Sequence, residues 1–378
     1  MYLLVRLTVI ACCWLSVTNT FAQKVDLDRF YFDYSYLSLP REYIEPDQRT
    51  FGVRVSTSPD VSVVRATEAI YDAITVDGFK RTETKPSVGI RLSISDIRFQ
   101  GSESTSRYED VKDKDGKITG RTYYYKLTAR YSVNGSYSIM GPGKDDEVKK
   151  PEPAPAAKTN RFLANVTKAP DQAAPNEGKR MGGGQLPMQL VFTSQEYTTS
   201  GQAEQYFERN QSAIRTDLIS NYVNSGIASV NADANALFGY TPTGGRDFLW
   251  ILDSKKHPEF EVQQEAIKAV KELMKSMKAT ESTTQLAQNL QPLLDYFESL
   301  KAKYPGDEKA DKKMRYSAYY SLASLYYYLD QPDKVIQEAN GLIKNDYDKK
   351  DGERWIEKAE SLQKVLAKHH LSERHMAL

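Results

Sequence analysis

The sequence predicts an α+β protein with two domains, and three observations indicate this. Between residues 26 and 140, apolar residues mostly alternate with polar ones, which is the period of half-buried strands. Two segments, residues 63–74 and 207–238, carry apolar residues at helical spacing instead. From residue 261 the helical spacing continues to residue 370. We therefore expect an N-terminal two-layer domain, in which two helices cover a mainly antiparallel sheet, followed by an all-α domain of helical hairpins.

The expected order of elements in the first domain is β, β, α, β, β, long loop, β, α. The first helix should begin after Ser58-Pro59-Asp60 and end at Asp77-Gly78, where glycine can adopt the left-handed conformation. Apolar positions change parity after Ser95-Asp96, which indicates a β-bulge. Thr199 and Gln202 form a capping box that begins the second helix. This arrangement loosely resembles the two-layer domains of periplasmic lipoproteins.

Composition divides the chain further. Residues 141–187 are rich in Pro, Ala, Gly and Lys and hold few large apolar residues, so they predict a long mobile loop inside the first domain. The glycine-rich segment from residue 239 to 245 predicts a joint between the domains. We therefore expect the α+β domain at residues 23–240, the joint at 241–260 and the helical domain at 261–378.

The first 22 residues predict export. Arg6 is the only charged residue in this stretch, and Leu7 to Val17 form an apolar run of the length typical of a signal peptide. Thr20 and Ala22 supply the small residues that a signal peptidase reads. The run is shorter than the roughly 20 apolar residues that span a bilayer. We expect a cleaved signal peptide at 1–22 and a periplasmic protein, with association with the outer membrane or the cell surface as alternatives.

The segment Val9-Ile10-Ala11-Cys12 leaves a second possibility open, because it is similar to a lipobox in which Cys12 would be lipidated. Membrane association is expected only in that case. Both cysteines, Cys12 and Cys13, lie within the signal, so the mature chain would have neither a disulfide nor a thiol ligand. Disulfides are common in secreted animal proteins, and their absence favours a bacterial envelope.

The balance of charge argues against nucleic acid as a partner. The chain has 51 basic and 50 acidic residues, and removal of Arg6 with the signal leaves the two signs equal. A neutral chain has no general attraction to the phosphate backbone.

One part of the helical domain resembles a tetratricopeptide repeat. Small, apolar and aromatic residues recur there at the positions where the two helices of such a repeat contact each other. The residues that carry the resemblance are Tyr319, Leu322, Ala323, Tyr326, Val335, Ala339 and Leu342, with a partial upstream repeat at Leu293, Phe297, Leu300 and Pro305. Generic amphipathic hairpins are the alternative interpretation.

The resemblance implies a binding groove. In this family the first helix of each repeat lines a concave face that binds peptides or partner proteins. By position, the groove residues here are Ser317, Tyr320, Ser324, Tyr327 and Tyr328. Tyrosines suit an extended polypeptide, because each offers apolar area and a hydroxyl group. The alternative is that some of these side chains pack on the neighbouring helix.

No catalytic or metal-binding pattern accompanies these features. The four histidines lack the spacing of metal ligands, and three of them fall in a C-terminal tail that we expect to be solvated. The segment from Val111 to Thr122 lacks the first and last ligands of a calcium loop and predicts a hairpin tip. Neither a phosphate-binding glycine loop nor a nucleophile elbow is present. We therefore expect no catalytic residue, no cofactor and no bound metal.

These observations favour a non-catalytic scaffold or adaptor of the bacterial cell envelope that binds another envelope protein through its helical hairpins. A glycan-binding envelope protein is the first alternative, since the chain has 25 tyrosines that could stack on sugars. A secreted hydrolase is the second alternative, although no pair of carboxylates can be nominated from the sequence.

Overall fold

The computed structural model describes residues 25–142 and 178–378, and these residues form an α+β protein, as expected. The expected signal peptide and residues 143–177 of the expected loop lie outside the described residues. The strands are β1 (Leu27–Ser38), β2 (Thr50–Thr57), β3 (Lys80–Arg81), β4 (Val88–Lys112), β5 (Ile118–Gly141), β6 (Lys179–Gln185), β7 (Gln189–Thr193) and β8 (Thr241–Leu252). The helices are α1 (Pro59–Val64), α2 (Thr67–Ala73), α3 (Ser200–Phe238), α4 (Phe260–Met274), α5 (Thr284–Lys303), α6 (Lys309–Tyr328), α7 (Pro332–Asn345) and α8 (Lys349–Lys368).

The chain divides into two compact units whose boundaries differ from the expected domains. Among the described residues, the sheet unit comprises 40–142 and 178–241, and the helical unit comprises 25–39 together with 242–378. Strand β1 therefore belongs to the helical unit. The segment expected to be a joint, 241–260, is not a linker, because most of it is β8, which pairs with β1. This pairing joins segments about two hundred residues apart, and alternation within either segment gives no indication of it.

The sheet unit is a two-layer structure. Its sheet has the order β3-β2-β4-β5-β6, and β7 also pairs with β5. Strand β2 is parallel to both of its neighbours, while β5 is antiparallel to β4, β6 and β7. Helices α1, α2 and α3 bury one face of the sheet in a core that includes Ile90, Leu92, Ile70 and Val223.

The expected first helix is interrupted. Arg65 has extended backbone angles, φ −144° and ψ 120°, and separates α1 from α2. Helix α2 ends at Ala73, before the expected position, and Gly78 adopts its positive φ of 79° in the turn that follows. The second helix is as expected: the Thr199 hydroxyl caps α3 by accepting from the amide of Gln202 at 3.3 Å.

The expected bulge is present in the β4–β5 hairpin. The ladder register shifts between Ser95 and Arg98, which is the position indicated by the change in parity. Beyond the sheet, the same two strands continue as a ribbon to a turn at Asp113–Gly116, where Gly116 has a φ of 78°. The segment from Val111 to Thr122 is therefore a hairpin tip.

The expectation of a mobile loop is wrong for residues 179–185, because these residues form strand β6, which pairs with β5. Three glycines lie in this strand, and glycine has a low intrinsic preference for strands. Gly183 has a φ of 125°, and a Cβ there would lie 2.4 Å from the carbonyl oxygen of Tyr137. The glycine content that indicated a loop is therefore explained by the close approach of the β6 backbone to the backbone of β5.

The helical unit contains the expected run of antiparallel helices. Helix α5 ends at Lys303, just before Tyr304-Pro305-Gly306, and α6 and α7 are joined by the turn Asp330-Gln331-Pro332. Small residues allow these helices to approach closely, since a Cβ added to Gly352 in α8 would lie 2.7 Å from the carbonyl oxygen of Ala339 in α7.

Part of the C-terminal tail is buried, which contradicts the expectation of a solvated tail. Arg374 and His375 are 5% and 1% exposed. The carbonyl of Arg374 accepts from the amide of Leu37 in β1 at 2.9 Å, and the amide of Met376 donates to the carbonyl of Ala279. The tail therefore fastens β1 to the helices of the same unit.

Candidate functional site

The candidate site is built on a two-stranded ribbon, β1 paired with β8, which we call the β1–β8 ribbon. The amide of Asp253 donates to the carbonyl of Asp26 at 2.8 Å. At the other end, Gly244 lies against the carbonyl oxygen of Tyr34. These two contacts place the strands side by side in opposite directions.

The ribbon packs against both sides of α6. Phe32 and Leu249, both 0% exposed, belong to a core with residues of α4, α5 and α6. Phe248 and Trp250 pack instead against a second core that contains Tyr320 and residues of α7 and α8. Burial of apolar area on both faces makes the ribbon an integral part of the helical unit.

The ribbon covers two of the predicted groove residues, Tyr320 and Tyr328. Tyr328 is 4% exposed and stacks on Tyr34 at a centroid distance of 4.4 Å, while its hydroxyl donates to Oδ2 of Asp247 at 2.6 Å. Burial and, after it, the Asp247 carboxylate raise the pKa of Tyr328 above its usual value, which keeps this donor protonated. Tyr320 stacks on Phe248 at 5.6 Å, and burial raises its pKa to about 12.

The expectation that these five residues line an open groove is therefore wrong for four of them, because their side chains are buried. Ser317, Tyr320, Ser324 and Tyr328 are all less than 9% exposed, and only Tyr327 is half-buried. The position of these residues on the first helix of a hairpin was predicted, but the strands of the same chain that contact this helix were not.

The repeat-packing residues lie mainly in the helical cores. Leu322, Phe297 and Leu300 are fully buried in the core shared with α4 and α5, with Leu293 packed at its margin. The core formed with α7 and α8 contains the predicted small and aliphatic residues Ala323, Val335, Ala339 and Leu342. The aromatic residues Tyr319 and Tyr326 pack at its edge. Pro305 is exposed, just after the end of α5.

A chain of aromatic rings remains along the ribbon and the neighbouring helices, and we call it the aromatic ladder. It runs Tyr31–Phe248–Tyr320–Trp355–Tyr327, with successive centroid distances of 6.0, 5.6, 5.6 and 5.7 Å. Most contacts are edge-to-face or tilted, the geometry that aromatic pairs favour. Tyr31 is 42% exposed at one end, while Trp355 in the middle is 3% exposed.

Exposed cations lie over the ladder. The guanidinium of Arg29 is 4.6 Å from the ring centre of Phe248, and that of Arg246 is 5.3 Å from Tyr31. Nζ of Lys358 lies 4.4 Å from the ring centre of Trp355. Such contacts hold long side chains in place over the rings. The exposed part of the ladder therefore consists of Tyr31 and the cations, with the half-buried Phe248 and Tyr327, above the buried rings of Tyr320 and Trp355.

The ribbon's contribution to this surface was not predicted from the sequence. Arg29 and Tyr31 alternate on β1, and Arg246 and Phe248 alternate on β8. An arginine two residues before an aromatic residue occurs in both strands, and this repeated triplet could have indicated the surface. The second copy, however, lies in the segment that was interpreted as a joint.

Within the described residues, no group of three or more His, Cys, Asp or Glu side chains could hold a metal ion. Among the helices of the described part of the chain, none is both long and apolar enough to cross a membrane. No protein-family model matches the chain, and no curated protein is significantly similar to it.

Proposed function

We propose that this protein is a non-catalytic adaptor of the bacterial envelope, exported through the signal at residues 1–22, which binds a partner protein at the aromatic ladder of its tetratricopeptide-like helical unit. The observation that carries the proposal is the ladder itself. Tyr, Trp and Arg are the residue types enriched in the energetically dominant positions of protein interfaces.

Charge and shape indicate the kind of partner. Three cations, Arg29, Arg246 and Lys358, lie along the ladder, and the guanidinium of Arg246 also lies 4.0 Å from the carboxylate of Asp33. A segment with acidic and apolar side chains would complement both the cations and the rings. Glycan stacking is less well supported, because sugars need open ring faces and Tyr31 alone in the ladder is more than a third exposed.

The test is recovery of the partner with a surface variant. We expect the pair Tyr31→Ala and Lys358→Glu to reduce recovery of the partner at least tenfold when the tagged protein is purified from crosslinked envelope fractions of its host. Both side chains are exposed, so the unfolding free energy should change by about 1 kcal/mol or less.

The matched control changes the same residue classes elsewhere on the helical unit. Val262 and Lys268 lie exposed on α4, which contributes no ring to the ladder, and the pair Val262→Ala and Lys268→Glu should leave recovery unchanged. Equal recovery with all variants would contradict the assignment of the ladder. Recovery of polysaccharide alone would favour the glycan-binding alternative.

A further inference from the structure

The β4–β5 ribbon has a long edge that no other described strand covers. Strand β2 pairs with β4 only from Val88 to Ile94, and β7 pairs with the side of β5 that faces away from β4. Every residue from 102 to 121 is exposed, so this part of the ribbon has no core of its own. A two-stranded hairpin is only marginally stable in water without a further strand or a helix to pack on. We call residues 102–112 the β4 edge.

Backbone groups on the β4 edge point outward. Tyr125 exchanges two backbone hydrogen bonds with Tyr197, at 2.8 and 2.9 Å, on the side away from β4. Its partner in β4, Ser106, therefore belongs to a non-hydrogen-bonded pair, because such pairs alternate with hydrogen-bonded ones in antiparallel strands. The register has no shift over this stretch, so Tyr108 and Asp110 have the same orientation as Ser106. The N–H and C=O groups of these residues are directed to the position of a further strand.

The sequence of the β4 edge is complementary to itself. When two copies pair antiparallel with Tyr108 at the centre, positions 107 and 109 lie opposite each other. Arg107 of each copy then faces Glu109 of the other copy, which is a favourable cross-strand pair. The two Tyr108 side chains form an aromatic pair, and Thr105 faces Val111, so that two β-branched side chains meet.

Charge favours this register over its neighbours. Within each copy, Nη1 of Arg107 lies 2.5 Å from Oε1 of Glu109, so each charge in the pair has an opposite charge both beside it and across from it. A shift of two residues places either the two copies of Arg107 or the two copies of Glu109 opposite each other. Like charges directly opposite each other destabilise a sheet. A shift of one residue would bring outward-pointing backbone groups opposite groups that point towards β5.

The length of the ribbon leaves room for the second copy. In this register Gly116, in the turn of one copy, reaches no further than Gln100 of the other copy, because both residues are eight positions from Tyr108. Strand β2 ends at Thr57, opposite Ile94, and so lies beyond that turn. The two ribbons can therefore lie side by side without displacing β2.

We propose that the β4 edge is an interface between two copies of this chain, which join their β4–β5 ribbons into a four-stranded antiparallel sheet with the two-fold axis at Tyr108. The interface is isologous, because the same segment serves both sides. The β4 edge is shorter than the roughly 20–30 residues that each side of a standard interface contributes, so we expect a dimer that dissociates on dilution. The proposal concerns the sheet unit and is independent of the adaptor function.

Sedimentation velocity of the whole chain over a series of concentrations tests the proposal with two charge reversals. We expect the native chain to dimerise at or below about 100 µM. Arg107→Glu alone brings four acidic side chains together across the axis, and Glu109→Arg alone brings four basic ones together, so each variant should dimerise at least tenfold more weakly. An equimolar mixture of the two variants should dimerise, because each acidic position then faces a basic one.

The control reverses an exposed charge outside the ribbon. Arg209→Glu in α3 should dimerise as the native chain does. Arg107 also contacts Glu196 in its own chain, and the mixture separates loss of that contact from loss of the interface. A mixture that stays monomeric would overturn the proposal. A native chain that is monomeric at about 100 µM, or a dimer that neither reversal weakens, would also overturn it.

Discussion

Replacement of Asp330 by Ala should destabilise the helical unit by about 3–5 kcal/mol, the range for removing one partner of a buried ion pair. The carboxylate of Asp330 is 0% exposed and accepts from the amide and Nε of Arg374, at 2.5 and 2.6 Å. Its other contact is Nδ1 of His375, at 2.8 Å. Without Asp330, the charge of Arg374 stays buried and loses its counter-ion.

The surroundings of Arg374 explain why this loss is large. Burial opposes its charge, but the contacts with Asp330, Tyr327 and Tyr36 together outweigh burial and raise the pKa of the guanidinium. The second nitrogen of His375, Nε2, lies 2.8 Å from the carbonyl of Ser35 in β1, so both ring nitrogens face acceptors. The cluster thereby ties the tail, the α6–α7 turn and β1 together.

Urea unfolding followed by tryptophan fluorescence measures this effect, because both tryptophans of the described residues, Trp250 and Trp355, lie in the helical unit. Asp330 has a φ of 55°, which Asn also tolerates, so Asp330→Asn separates loss of charge from backbone strain. Asp307→Ala at an exposed position should change stability by about 0.5 kcal/mol or less. An equally small change for both Asp330 variants would show that the tail is not docked.

Replacement of Phe32 by Ala should cost about 3–5 kcal/mol, as for large-to-small changes in other cores. Phe32 is 0% exposed and contacts Tyr328 edge-to-face at 5.6 Å. Its removal leaves a cavity between the β1–β8 ribbon and α6. The same urea titration measures the loss.

The neighbouring residue provides the control for Phe32. Tyr31 points to the other side of β1 and is 42% exposed, so Tyr31→Ala should cost about 1 kcal/mol or less. Similar costs for the two substitutions would contradict the placement of the ribbon against α6.

Local features of the fold were predictable from sequence, because their causes are local. A change in the parity of apolar residues indicated the bulge after Ser95, and a hydroxyl three residues before Gln202 indicated the start of α3. The hairpin of α6 and α7 follows from apolar spacing on both sides of Pro332. In each case the signal lies within a few residues of the feature.

The features that were missed depend on contacts distant in sequence. Strand β1 pairs with β8 in the helical unit, and His375 bonds to Ser35, more than three hundred residues away. The triplets Arg54-Val55-Ser56 and Arg91-Leu92-Ser93 are visible in the sequence, but their alignment depends on the register of a parallel pair. The candidate surfaces could therefore be recognised only after the strands were paired.

Site-specific photo-crosslinking is the sharpest test of the claim that the aromatic ladder contacts a partner protein. A photoreactive phenylalanine analogue in place of Tyr31 would lie at the exposed end of the ladder, while the same analogue in place of Val262 would lie on α4 as the control. After irradiation of living host cells, we predict one reproducible crosslinked envelope protein from position 31 and none from position 262. The same products from both positions, or none from position 31, would contradict the claim.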